Sequence, residues 1–217
     1  RSANIRSAQS IAREGRIDEA RALLQAEADE PEIMRRYILA EVQILRDANR
    51  PAEALLVLDD ALRETPDDTG LLYEAAMLAE RIDRMDLLEA RLRRVLELQP
   101  DHAHALNALG YSLADRGLRL EEAEALIARA HELMPQDPFI LDSLGWVRFR
   151  RGDHDGALAH LQRAYGMRQD AEIAAHLGEV LWTLGRRDEA RRLFAEALAA
   201  HPDNRLLSDT GRRLGIQ

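Results

Sequence analysis

The chain has 217 residues, is 46% hydrophobic, contains no cysteine and carries a formal net charge of −9 at pH 7. An apolar share of that size excludes a disordered chain, and the lack of cysteine excludes disulfides and thiolate metal sites. The acidic balance excludes nucleic acid as the main ligand, because a phosphate backbone is repelled on average. Every one of the 30 basic residues is arginine, which removes lysine-based chemistry: the phosphate-loop lysine, the Schiff base and the Ser–Lys dyad. No apolar run reaches the roughly 18 residues of a membrane span.

Taken in chain order, the elements repeat. Ala20, Ala54, Leu88, Ala123, Ala157 and Ala190 recur every 33 to 35 residues. Four positions beyond each stands a larger apolar residue: Leu24, Leu58, Leu92, Ile127, Leu161 and Phe194. Prolines at Pro66, Pro100, Pro135 and Pro202 keep the same beat. A rhythm of this kind marks a repeated supersecondary unit. We place six units at 1–34, 35–68, 69–102, 103–137, 138–170 and 171–204. Each is a helix–turn–helix.

The helix ends support this phase. Gly15, Asn49, Asp83, Gly117, Gly152 and Gly185 close the first helices, and these types best tolerate the left-handed conformation. Second helices are expected to open at Asp18, Pro51, Asp86, Asp155 and Asp188, and first helices at Asp101, at Asp137-Pro138 and at Asp170. Within the first helices, Leu109-Gly110, Leu144-Gly145 and Leu177-Gly178 mark where two helices cross closely. Ala8, Val42 and Ala76 hold the same point earlier in the chain. Two units are irregular. The fourth has an extra residue near Leu118-Arg119-Leu120. The fifth is one short, with Gln169 in place of proline and Gly166 inside its second helix. A local change of pitch is expected there. The first unit has Glu27 where the others place a small residue. Residues 205–217, with Leu206, Leu207 and Leu214, read as a short capping helix and tail. No such cap precedes Ile5 and Ile11, so further repeats are expected upstream.

The period and this spacing resemble the tetratricopeptide repeat family over the whole chain. That resemblance implies an all-α fold: a right-handed superhelical solenoid whose first helices line a concave groove. Bound peptides of the family usually lie in that groove. The helical phase places Tyr73, Met77, Asn107, Tyr111, Ala114, Phe139, Asp142, Trp146, Phe149, Arg150, His176, Glu179 and Trp182 there. Six of the nine aromatic residues fall in this set, and large aromatic rings are the usual anchors of protein interfaces. The lysine–asparagine clamp of some relatives, which grips a C-terminal carboxylate, is missing. With Asp142 and Glu179 present, an internal segment or a folded partner is the expected ligand.

No nucleotide loop, HExxH helix or GxSxG elbow occurs. His102 and His104 lie close together, but no carboxylate–histidine cluster converges with them at ligand spacing. Asp153-His154-Asp155-Gly156 lacks the later ligands of a calcium loop. No catalytic residue, metal or cofactor is expected.

Three stretches have a more particular wording: ALNALGYSLADR at 105–116, DPFILDSLGWVRFRRGD at 137–153 and AAHLGEVLWTLGRRDEA at 174–190. Residues 100–214 resemble the C-terminal part of proteobacterial tetratricopeptide lipoproteins. These are anchored in the outer membrane, face the periplasm and bind a C-terminal processing protease. The resemblance implies a non-catalytic scaffold that brings this protease to substrates such as cell-wall hydrolases, raising their effective concentration. The implied location is periplasmic, with the anchor outside this segment. Two alternatives stay open: a cytoplasmic assembly or regulatory adaptor, and the repeat arm of an enzyme whose catalytic domain lies elsewhere.

Overall fold

The computed structural model describes residues 2–26 and 31–216; Glu27 lies outside them. Among the described residues there are thirteen α-helices and no strand. The chain forms two compact units, residues 1–100 and 101–217. The first contains α1 (Ser2–Arg13), α2 (Ile17–Gln25), α3 (Pro31–Asp47), α4 (Pro51–Glu64), α5 (Thr69–Arg81) and α6 (Met85–Leu98). The second contains α7 (Ala103–Asp115), α8 (Leu120–Leu133), α9 (Pro138–Arg150), α10 (His154–Met167), α11 (Ala171–Thr183), α12 (Arg187–Ala200) and α13 (Arg205–Leu214). Within each unit every odd helix packs against the even helix that follows it, and that pair against the next.

The turns inside the pairs share one device. Gly15, Asn49, Asp83, Gly117, Gly152 and Gly185 all have positive φ, between 57° and 90°. Each lets the chain leave one helix and reverse into the next. The extra residue of the fourth repeat is absorbed here: Arg119 also turns left-handed, at φ 41°, and leaves Leu118 exposed.

The helix starts divide into two kinds. First helices open on a side-chain cap: Asp68 accepts from the Leu71 amide, Asp137 from Phe139 and Ile140, and Asp170 from Glu172. At α7 the cap is His102, whose Nδ1 accepts from the Ala105 amide, and not the expected Asp101. Second helices mostly open on arginine, which cannot accept a hydrogen bond. Arg16, Arg50, Arg84 and Arg186 stand at the cap position, so Asp18, Asp86 and Asp188 fall inside the first turn. There a carboxylate meets the positive end of the helix dipole, and arginine pins it. Arg50 donates to Glu53, Arg84 to Asp86, and Arg186 pairs with Glu189. Arg84 holds the Asp86 carboxyl down at about 2. Only α10 caps itself conventionally, through Asp153 to the Gly156 amide.

The core of each pair is the periodic set. Ala20, Leu24, Ala54, Leu58, Leu88, Leu92, Ala123, Ile127, Ala157, Leu161, Ala190 and Phe194 are all buried. In the second unit they press on the glycines of the first helices. A Cβ on Gly110 would stand 2.9 Å from the Ala123 carbonyl oxygen, and one on Gly178 would stand 2.1 Å from the Phe194 ring. Glycine is required there by contact, not by dihedral angle. At the end of the chain α13 rests on α11 and α12 and buries Leu207, Thr210 and Gly211.

Candidate functional site

Three consecutive first helices of the second unit, α7, α9 and α11, carry most of the sequence-selected residues. Each helix buries its Leu-Gly face against its own second helix, so the residue following the glycine turns to another face. On α7 this residue is Tyr111, on α9 Trp146 and on α11 Glu179.

These helices are joined by a polar and aromatic network. His176 and Asp142 are both buried. His176 Nδ1 lies 2.9 and 3.0 Å from the two Asp142 carboxylate oxygens. The other ring nitrogen, Nε2, lies 3.2 Å from the Tyr111 hydroxyl. Trp146 stacks on the imidazole with ring centroids 4.3 Å apart and 24° between planes, and its Nε1 donates to Asp115 at 3.2 Å. Phe149 also leans on Trp146, 5.2 Å between centroids. Burial disfavours the imidazolium, but the adjacent Asp142 carboxylate, with Asp115 and Glu172 farther off, outweighs it and holds His176 above its ordinary value.

The other selected residues take distinct positions. Glu179 is 9% exposed and is gripped by both terminal nitrogens of Arg213 on α13, at 3.0 and 2.6 Å. Trp182 is half-buried, with Arg187 at 4.8 Å and Arg191 at 5.5 Å from its ring centre. Phe139 is exposed and meets Arg168 at 5.4 Å. Arg150 is exposed and donates from Nε to the Ala114 carbonyl. Asn107 is half-buried, and its Oδ1 is buried without a hydrogen-bond partner. Ala114 is fully buried. Trp146, only 5% exposed, spends its ring inside the network. On α5, in the first unit, Tyr73 and Met77 are half-buried, and burial pushes the Tyr73 phenol up.

Five participants escaped the sequence reading: Asp115, Arg168, Arg187, Arg191 and Arg213. Two signals could have found some of them. Asp115 lies one helical turn after Tyr111, on the same face. Arg213 lies 34 residues after Glu179, one repeat on, as His176 does after Asp142.

A cavity of about 660 Å³ opens in the first unit between α3 and α4, lined by Met34, Ile38, Val57, Ala61 and Leu71. Among the described residues no group of three or more His, Cys, Asp or Glu is placed to hold a metal. No described helix is long and apolar enough to cross a membrane.

Comparisons with known proteins agree with this architecture. Three family models, each described as tetratricopeptide repeat, match residues 8–26, 89–138 and 148–209. Over 178 residues, 82% of the chain, the sequence is 41% identical to a TPR repeat-containing protein of Pseudomonas aeruginosa, and the chain spans 30% of that relative's length. A solved tetratricopeptide repeat protein of Parabacteroides merdae superposes with a TM-score of 0.74 at 15% identity, covering 99% of this chain and 91% of that one. A thermophilic TPR protein of Thermus thermophilus superposes with a TM-score of 0.69 at 24% identity, covering 83% and 96%. YrrB, a TPR protein with an unusual peptide-binding site, superposes with a TM-score of 0.56 at 18% identity, covering 81% and 91%. At these identities the solved structures bear on fold alone.

Proposed function

We propose that this chain, a tetratricopeptide repeat protein, is a non-catalytic scaffold of the bacterial envelope that brings a C-terminal processing protease to its protein substrates. Tetratricopeptide repeat proteins generally serve as protein-interaction scaffolds, and their relatives are typically non-catalytic. The envelope and protease parts of the reading rest on the wording of residues 105–116, 137–153 and 174–190.

One observation carries the binding reading: a rigid floor with accessible rings around it. Asp142, Trp146 and His176 are buried and hydrogen-bonded, so the helices that carry them are fixed. Tyr111, Phe139 and Trp182 keep part or much of their surface accessible on those same helices. Rings held at a fixed spacing lose little entropy on binding, which is what makes them effective anchors. Asn107 and Arg150 add polar contacts, and Tyr73 and Met77 offer the corresponding surface on α5.

The test is capture with the purified chain from an envelope extract of the source organism, beside a Tyr111→Ala/Trp182→Ala variant. A C-terminal processing protease or a cell-wall hydrolase retained by the wild type, and reduced at least tenfold with the variant, is the expected result. Retention of neither class contradicts the envelope reading. Equal retention by both baits contradicts the assignment of the surface.

A further inference from the structure

The Asp142–His176 pair does more than fill space. It is a titratable group at a point where side chains of α7, α9 and α11 meet. Tyr111 reaches His176 from 65 residues away in sequence, while Trp146 and Asp142 come from the helix between.

The donor count at this point depends on one proton. With His176 neutral, Nδ1–H donates to Asp142, and Nε2 accepts from the Tyr111 hydroxyl. With His176 charged, both nitrogens donate: Nδ1 to Asp142 and Nε2 to the Tyr111 oxygen. The charged form also turns the Asp142 contact into a buried ion pair and sets a cation against the face of Trp146. Protonation therefore strengthens two links of the network and reverses the third.

We propose that Asp142, His176, Trp146 and Tyr111 form a proton-operated latch, closed when His176 is charged, that ties three successive first helices together under the binding surface. The role rests on reading this face as the binding surface; the latch itself does not require a ligand.

The surroundings favour the closed form. From α7 the groups facing His176 are Tyr111 and Asp115, and from α9 Asp142. On α11 itself they are Glu172, and Glu179 one turn beyond. Asp142, Asp115 and Glu172 all favour the charged ring. From α13 comes Arg213, which Glu179 neutralises and which lies within the field of Asp115. The faces of α10 and α12 that pack on α11 are apolar, through Leu161, Leu193 and Phe194, apart from the Tyr165 phenol. The His176 value is raised in the folded state, so the sign is fixed. The latch contributes in full below the unfolded histidine value of 6.5 and is lost as pH rises through the higher, folded value.

Trp146 and Trp182 are the two tryptophans of the chain, which allows a direct readout. In a Trp182→Phe background Trp146 emits alone, and a charged imidazole stacked on it quenches that emission. Between pH 5 and 9 we expect emission to rise at least twofold, with a midpoint above 6.5. His176→Gln should abolish the transition, and Asp142→Asn should move its midpoint down by one pH unit or more. A flat profile, a transition that survives His176→Gln, or a midpoint unmoved by Asp142→Asn overturns the proposal. Should either variant fail to fold, NMR titration of the seven histidines of the wild type decides alone. One buried imidazole with a raised midpoint supports the latch; a His176 that titrates at or below its ordinary value overturns it. Because no ligand enters, failure here leaves the scaffold reading standing, and failure of the capture experiment leaves the latch standing.

Discussion

The two units spend their polar side chains differently. In the first, the buried Glu41 of α3 is held by Arg21 at 2.8 Å and Gln25 at 2.9 Å, both from α2. Arg35 of α3 reaches Asp68 at the start of α5, and Arg46 reaches Glu74. These links run along the array like clasps, each closing an arginine or glutamine on a carboxylate. In the second unit the comparable links involve Asp142, His176, Trp146 and Tyr111, with aromatic surface left over. The crossing points differ too. Ala8, Val42 and Ala76 serve in the first unit, where Gly110, Gly145 and Gly178 serve in the second. At the three glycines a Cβ would collide with Ile127, Leu161 and Phe194 of the following helix. On the proposed reading, one repeat framework carries two duties. The periodic core makes the helices stack, and the residues between its beats decide whether a face is merely tied or also built to bind.

The largest effect should come from breaking what both units share. Leu109 is fully buried, and Leu109→Asp would place an unpaired charge between helices at a cost of about 4 kcal/mol or more. Ala75, its counterpart on α5, is equally buried, and Ala75→Asp should be comparably severe. Urea unfolding followed by circular dichroism would show both, and a mild effect in either unit would break the claim of a common framework.

Next come the residues that separate the units. Trp146→Ala should cost about 3–5 kcal/mol, because the ring is enclosed. Met77→Ala, at the matching position of α5, should cost only about 1 kcal/mol, because Met77 is half-buried. Equal losses would erase the distinction between floor and open surface.

Gly178→Ala should destabilise by about 1–2 kcal/mol: overpacking against Phe194 exceeds the gain in helix propensity. Ala76→Gly, at the equivalent point of α5, should cost about 1 kcal/mol for the opposite reason, lost propensity. Arg213→Ala should have the smallest effect, about 0.5–1 kcal/mol, since its side chain is 57% exposed. Thermal unfolding should rank these three in that order.

Acid and base should also separate the units. In the first, Arg50, Arg35 and Arg84 hold Glu53, Asp68 and Asp86 low. A lowered carboxyl contributes stability above its unfolded value and loses it as pH falls. In the second, the raised His176 loses its contribution as pH rises. Hydrogen exchange resolved by helix should therefore show α3–α6 loosening first in acid and α7–α11 loosening as pH passes from 6 to 9. Parallel responses would argue against the different roles assigned to these charges.

The framework was legible in the sequence because it is periodic. The left-handed closings at Gly15, Asn49, Asp83, Gly117, Gly152 and Gly185 fall at the expected residues. Second-helix caps were misplaced because acids near a helix start look like caps. Whether they cap or sit in the first turn depends on the arginine two or three residues earlier. At the candidate site, helical phase tells which face a residue lies on but not how deep it sits. Trp146 and Trp182 occupy related faces, yet His176 covers the first ring, while the second packs partly on the core and meets guanidinium groups from α12. The depth of a side chain is set by what the next repeat brings, one period away. Asp142 with His176 and Glu179 with Arg213 are both such one-period pairs.

The most direct test of the account is site-specific photo-crosslinking in the living source organism. A photoreactive residue would replace Tyr111, Phe139 or Trp182 in turn. As the control it would replace Leu56 of α4, a second-helix residue 63% exposed. The account expects protein adducts from the three first-helix positions and none from Leu56. Adducts from Leu56 alone, or from all four positions equally, would contradict a binding face on α7, α9 and α11.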